Sequence, residues 1–235
     1  MSRAAFTVVG GPVVWLPFAH IDTDQIIPAR FLKQPRTLGY GQYLFHDLRR
    51  VGDTSIGQAL AGPEVAKAVI LAAGANFGCG SSREAAVYAL LDAGVRCVIA
   101  PSFGDIFRIN CMKNGLLPAA LCAEAISRLL ADYSSPGSVS AVVDLQEEVV
   151  RCATIAERFR IEPFWRECLL LGVDEIDLTM RRKTEIDGYV QSRLAREPWL
   201  CPSTSPVGAC DPEAPEQLPT TPAFRNGTRA DSENR

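Results

Sequence analysis

The 235-residue sequence predicts an α/β domain, a mixed sheet with flanking helices. Two observations carry this. Strand-like and helix-like segments alternate between residues 65 and 130, the grammar of β-α-β units with parallel pairing. Within that stretch a glycine-rich turn, Phe77-Gly78-Cys79-Gly80-Ser81-Ser82-Arg83-Glu84, joins an apolar run to an amphipathic one. An apolar content of 47% adds enough side chains for a sizeable core.

Taken in order, Val8 to Trp15 is apolar but broken by Gly10-Gly11-Pro12, so it predicts strand, turn, strand. The segment from His20 to Leu32 sets Asp22 and Asp24 among apolar residues and predicts an Asx-type turn before a short helix. Residues 35–41, Pro-Arg-Thr-Leu-Gly-Tyr-Gly, read as a loop. Ala68–Ala73 is a buried strand, Ser82–Ala93 a helix closed by Gly94, and Val95–Ala100 a second buried strand that includes Cys97. Phe103 to Asn114 is a helix stopped by Gly115, with Ser102 as its cap, and Glu124–Ala131 is another. Val139–Leu145 and Val149–Cys152 form a hairpin about Gln146-Glu147-Glu148, with a further strand at Arg158–Ile161. Pro163–Leu171 is a helix stopped by Gly172, and Thr184–Glu197 is the last amphipathic helix. Residues 1–200 therefore read as one globular unit. Residues 201–235 hold six of the 16 prolines and almost no large apolar side chain, which predicts a disordered tail.

The turn at 77–84 delivers two hydroxyls and a guanidinium to a helix start, where free N–H groups and the helix dipole favour an anion. Ser81 and Glu84 have capping-box spacing. Arg83 occupies the third-glycine position of a dinucleotide fingerprint, and no Gly-Lys-Ser/Thr follows, so neither nucleotide loop is present. A hydroxyl beside a fixed cation suits a carboxylate-bearing substrate. A plain helix cap accounts for the same residues equally well.

A net charge of −3 gives no reason to expect nucleic acid or an anionic membrane as partner. No run reaches 18 apolar residues, and the chain is expected to be cytoplasmic. Of the eight cysteines, none forms Cys-x-x-Cys and none has a nearby histidine, so no zinc or iron–sulfur ligand set is legible. His20 and His46 read as polar loop or surface residues rather than metal ligands.

His20-Ile-Asp-Thr-Asp-Gln-Ile-Ile-Pro-Ala29, then Arg36-Thr37, the turn at 77–84, Ile99-Ala-Pro-Ser-Phe-Gly-Asp-Ile-Phe107 and Asn114-Gly-Leu-Leu-Pro118 follow one another. In that order they resemble the small subunits of 3-isopropylmalate dehydratases, equivalents of the swivelling C-terminal domain of aconitase. The resemblance extends over roughly residues 5–200 and includes Gly172–Thr179. It implies a swivelling β/β/α domain and a two-chain hydro-lyase of leucine biosynthesis, active only with a large subunit. That enzyme interconverts 2- and 3-isopropylmalate by dehydration and rehydration. A [4Fe–4S] cluster is expected in the large subunit and none in this chain. The resemblance makes Ser81 the general base and lets the Ser82 N–H stabilise developing charge. Arg83 and Arg36 would hold substrate carboxylates, and Asp24 matches an active-site aspartate. This chain departs from the family at Ala85, where a histidine is usual, and at Val87-Tyr88, where Pro-Trp is frequent. Two alternatives follow: a paralogous hydro-lyase for citraconate, methylmalate or homoaconitate-type substrates, or a non-catalytic swivel-domain binding module.

Overall fold

The computed structural model describes residues 4–50, 60 and 67–200, so the expectation for residues 201–235 lies outside them. The chain divides into two compact units, Met1–Lys183 and Thr184–Arg235. In the first, seven strands form one sheet in the order β4-β3-β2-β1-β5-β6-β7. They are β1 (Val8–Leu16), β2 (Ile70–Ala73), β3 (Cys97–Ala100), β4 (Leu117–Ala120), β5 (Ser140–Asp144), β6 (Val149–Cys152) and β7 (Ile155–Arg158). Among the described residues the α-helices are α1 (Thr23–Ile26), α2 (His46–Arg50), α3 (Glu84–Asp92), α4 (Asp105–Asn114), α5 (Ala123–Leu129), α6 (Pro163–Leu171), α7 (Glu175–Met180) and α8 (Lys183–Arg196). Short 3₁₀ turns cover Ala29–Lys33, Arg36–Leu38 and Tyr40–Tyr43.

The expected break in the first apolar run does not occur: β1 is continuous through Gly-Gly-Pro. Its two halves serve different partners. Val8–Pro12 pair antiparallel with β5, and Val13–Leu16 pair parallel with β2. The glycines sit where the strand passes from one neighbour to the other. A Cβ on Gly11 would lie 2.8 Å from Val69 Cγ2, so only glycine allows this approach.

The strands β2, β3 and most of β4 are buried on both faces, as the apolar runs between parallel neighbours require. Their side chains alternate between two cores. Leu71, Ala73 and Val98 pack with Ala86, Val87 and Leu90 of α3 on one face. Ile70, Ala72 and Ile99 pack with Ile126 of α5 and Leu169 of α6 on the other. Strand β4 was not foreseen because Pro118 interrupts it; as the edge strand it tolerates the missing N–H. The hairpin β5–β6 forms as predicted. The next strand lies earlier than expected, at Ile155–Arg158, because Cys152 pairs directly with Ile155 across a two-residue turn whose Ala153 has φ 49°. The helix α7 was also unforeseen. Asp174 starts it, its carboxylate accepting from the Asp177 N–H at 2.8 Å.

The strands β1 to β4 all run the same way, so their C-terminal ends share one edge. The segments leaving that edge carry every predicted site residue except Arg36, which comes from the 3₁₀ turns that follow α1. Ligand sites of open α/β sheets favour this edge.

Candidate active site

Three loops meet at this edge and are joined by backbone hydrogen bonds. Gly78 N–H donates to Ile21 C=O at 2.7 Å, Thr23 N–H to Cys79 C=O at 3.0 Å, and Phe77 N–H to Ser102 C=O at 3.1 Å. The pairs Asp22–Cys79 and Phe77–Phe103 extend the parallel pairing beyond the strands proper. Thr23, almost wholly buried, donates its hydroxyl to Ser81 C=O at 2.8 Å. The backbone that presents Ser81 is thus held from both sides.

Glycine is required at Gly78. Its φ is +73°, and a Cβ there would sit 2.2 Å from the Phe107 ring. With Gly80 also at positive φ, the chain turns sharply before Arg83, whose extended backbone leads into α3. The capping box expected at Ser81 and Glu84 does not form. Arg83 is the cap residue, so Ser81 lies two residues too early, and Glu84 instead accepts from Asn114 Nδ2 at 2.7 Å. A capping box does exist one loop away. Asp22 Oδ1 accepts from Gln25 N–H at 2.7 Å, and Gln25 Oε1 accepts from Asp22 N–H at 2.9 Å. That is the Asx-type turn the sequence predicted, and it places Asp24 in the first turn of α1.

From there Asp24 forms an ion pair with Arg83. Arg83 is largely covered, with 18% of its side chain exposed, while Asp24 is half exposed. Ser81 and Ser82 are exposed. The N–H groups of Ser82 and Arg83 find no acceptor among the described residues, as expected ahead of a helix. Ser81 lines a cleft of about 520 Å³ together with Asn76, Cys79, Ser102 and Asp105. The structure therefore assembles four predicted residues, Asp24, Ser81, Ser82 and Arg83, at one spot.

Arg36 stands apart from them. Its 3₁₀ turn sets the guanidinium 3.5 Å above the centroid of the Tyr88 ring and 3.8 Å from Asp92 Oδ1, toward the C-terminal end of α3. Tyr88 lies five residues beyond Arg83, roughly 7 Å along the helix axis.

Other polar residues at the cleft escaped the sequence reading. Asn76 adopts a left-handed φ of 57° and donates its N–H to Ser102 Oγ at 2.9 Å. Ser102 is consequently not the cap of α4, a position held by Gly104. Asn76 Nδ2 lies 3.0 Å from His20 Nδ1. The available signal was an asparagine in the turn three residues past a strand, a residue type that tolerates the left-handed region. His20 is exposed in its loop, and His46 pairs with Asp47 beside Arg30. Arg30 in turn holds the Asp47 carboxyl well below the usual carboxylate range.

Burial pushes the thiols of Cys97 and Cys111 well up, so both are small core residues. Among the described residues no three His, Cys, Asp or Glu side chains converge to hold a metal ion. No described helix is long and apolar enough to cross a membrane. Ala85, half-buried, packs against the core on the α3 side.

Comparison with known proteins adds to this geometry. The family model for the aconitase C-terminal domain matches residues 4–124. A Rhodospirillum rubrum protein named 3-isopropylmalate dehydratase small subunit is 46% identical, over 83% of this chain and 96% of its own length. Its namesake from Paramagnetospirillum magneticum is 43% identical, over 83% and 98%. The crystal structure of a 3-isopropylmalate dehydratase from Methanocaldococcus jannaschii superposes with a TM-score of 0.57 at 25% identity, covering 77% of this chain and 99% of that one. The mixed seven-stranded α/β architecture is the one these comparisons share.

Proposed function

The chain belongs to the family of 3-isopropylmalate dehydratase small subunits, and from that premise we propose how it works. It is the small subunit of a hydro-lyase that interconverts 2- and 3-isopropylmalate through loss and return of water in leucine biosynthesis. It acts with a large subunit, in the cytoplasm, with residues 1–200 as the working body and 201–235 as a dispensable extension. The observation that carries the reading is Ser81 on the wall of the cleft, two residues before the Asp24-paired Arg83 and next to N–H groups that find no acceptor among the described residues.

Removing the proton next to a carboxylate builds negative charge on that carboxylate, so donors fixed before the reaction lower the barrier. Ser81 Oγ takes the proton. As an alkoxide it is a strong base but costly to form, and the positive end of α3 with Arg83 nearby reduces that cost. The N–H groups of Ser82 and Arg83 face the growing charge. The N–H groups of Arg83 not taken by Asp24 bind one substrate carboxylate, while Asp24 holds the Nη1 end of the guanidinium. Arg36 binds a second carboxylate. The described residues of this chain do not make a ligand set for an iron–sulfur cluster. We place the [4Fe–4S] cluster in the large subunit, where it would supply Lewis-acid chemistry to the leaving hydroxyl.

Ala85 supports a second reading, a paralogous hydro-lyase for another 2-substituted malate, because the imidazole usual at that position is missing. One experiment addresses both. The chain is co-expressed with its large subunit, reconstituted anaerobically and assayed against a panel of 2- and 3-alkylmalates. 3-Isopropylmalate should be the best substrate, and Ser81→Ala should lower kcat by at least about a hundredfold. A preference for citramalate-type substrates favours the paralogue, and near-wild-type turnover in Ser81→Ala removes the assigned base.

A further inference from the structure

The two arginines differ in which part of the guanidinium the protein uses. Arg83 presents its edge to Asp24. Arg36 presents its face to Tyr88, with 3.5 Å between Cζ and the ring centroid. Its nearest carboxylate, Asp92 Oδ1, is 3.8 Å away, beyond hydrogen-bond range. The guanidinium of Arg36 makes no hydrogen bond to the described residues, and half of the side chain is exposed. A planar cation stacked on a ring keeps its in-plane N–H fork open, the geometry that receives a carboxylate in a bidentate pair.

The segment bearing Arg36 is tied down around this contact. Asp92 Oδ2 accepts from Tyr40 N–H at 2.9 Å, and Tyr40 OH donates to Gln34 C=O at 2.9 Å. Gln42 Nε2 donates to Leu38 C=O and Gly39 C=O. A Cβ on Gly41 would lie 2.6 Å from the Asp92 carbonyl carbon, so the loop backbone rests directly on the end of α3. These contacts fix the loop; among the described residues it is the ring of Tyr88 that fixes the plane of the guanidinium.

We propose that Tyr88 is a positioning residue for Arg36, its ring holding the guanidinium flat so that the free edge meets a carboxylate of the substrate. Asp92 biases the cation toward the ring without occupying the edge. The role belongs to the aromatic face rather than to the hydroxyl. This inference rests on the dehydratase reading above.

The test uses the reconstituted two-subunit complex with 3-isopropylmalate as the probe. Tyr88→Leu, which keeps bulk but loses the π face, should raise KM about tenfold with kcat within about twofold. Tyr88→Phe should stay close to wild type. In an Arg36→Ala background Tyr88→Leu should have no further effect on KM, because its target is gone. The idea is overturned if Tyr88→Phe costs as much as Tyr88→Leu, or if the leucine variant costs the same in both backgrounds, as a purely structural tyrosine would. A complex with no turnover of any 2- or 3-alkylmalate sinks the dehydratase reading instead. The Arg36 Hε resonance of the free full-length chain, assigned by its loss in Arg36→Lys, then tests the stacking alone. It should move downfield in Tyr88→Leu as the ring current is lost, and an unmoved resonance overturns the inference.

Discussion

The two ends of helix α3 present two arginines in opposite ways. At the N-terminal end, Arg83 is mostly covered and paired with Asp24, on a turn knitted into three loops by backbone hydrogen bonds. At the C-terminal end, Arg36 reaches in from a run of 3₁₀ turns, half exposed, stacked on a ring and without a hydrogen-bonded partner among the described residues. The first end joins its guanidinium to a carboxylate of the chain itself, while the second fixes the plane of its guanidinium and leaves the fork open. A donor set beside developing charge contributes most in the transition state, whereas one that only grips a remote carboxylate contributes binding that is nearly the same in ground and transition states.

The largest effect of this contrast falls on Arg83. Arg83→Lys keeps the charge but loses the fork, and it should lower kcat/KM by roughly a hundredfold, about 2.7 kcal/mol of transition-state stabilisation. Steady-state kinetics of the complex, with its cluster content checked, reads this directly. An unchanged kcat/KM would leave the turn as a plain helix start and dissolve the comparison.

The rigidity of that end can be probed without touching a charged group. Gly78→Ala forces a side chain into positive φ and against the Phe107 ring. It should cost about 2 kcal/mol or more of unfolding free energy in urea titration of the chain. A loss of only a few tenths would mean that the turn yields readily and is less built than its hydrogen bonds imply.

The smallest effect belongs to the far end. Arg36→Lys should raise KM about tenfold and leave kcat within about twofold, since stacking and fork are lost while the charge stays. A fall in kcat matching that of Arg83→Lys would show that both arginines act on the transition state alike.

Much of the N-terminal end was legible in the sequence. The run of Gly78, Gly80, Ser81, Ser82 and Arg83 between a buried strand and a helix named the spot, because turn glycines and helix starts are local signals. Asp24 was legible through its place in the Asp-Thr-Asp segment. Its pairing with Arg83 was not, because 59 residues separate the two and only the sheet brings them together. The capping box was assigned to the wrong loop for a related reason. The spacing Ser81 to Glu84 satisfies the pattern, but the helix begins only after Arg83, and the box closes at Asp22 and Gln25 instead.

What the sequence by itself determined is the alternation of buried strands and amphipathic helices, the hairpin at 139–152 and the residue types at the cleft. These follow from periodicity and turn chemistry within a dozen residues. What the tertiary structure decided is pairing. It made β1 a single strand shared by two neighbours, admitted Pro118 to an edge, joined Asn76 to Ser102, and seated Arg36 on Tyr88. Each of these is a contact between segments distant in sequence, and its energy depends on where the rest of the chain has already packed, which no local pattern encodes.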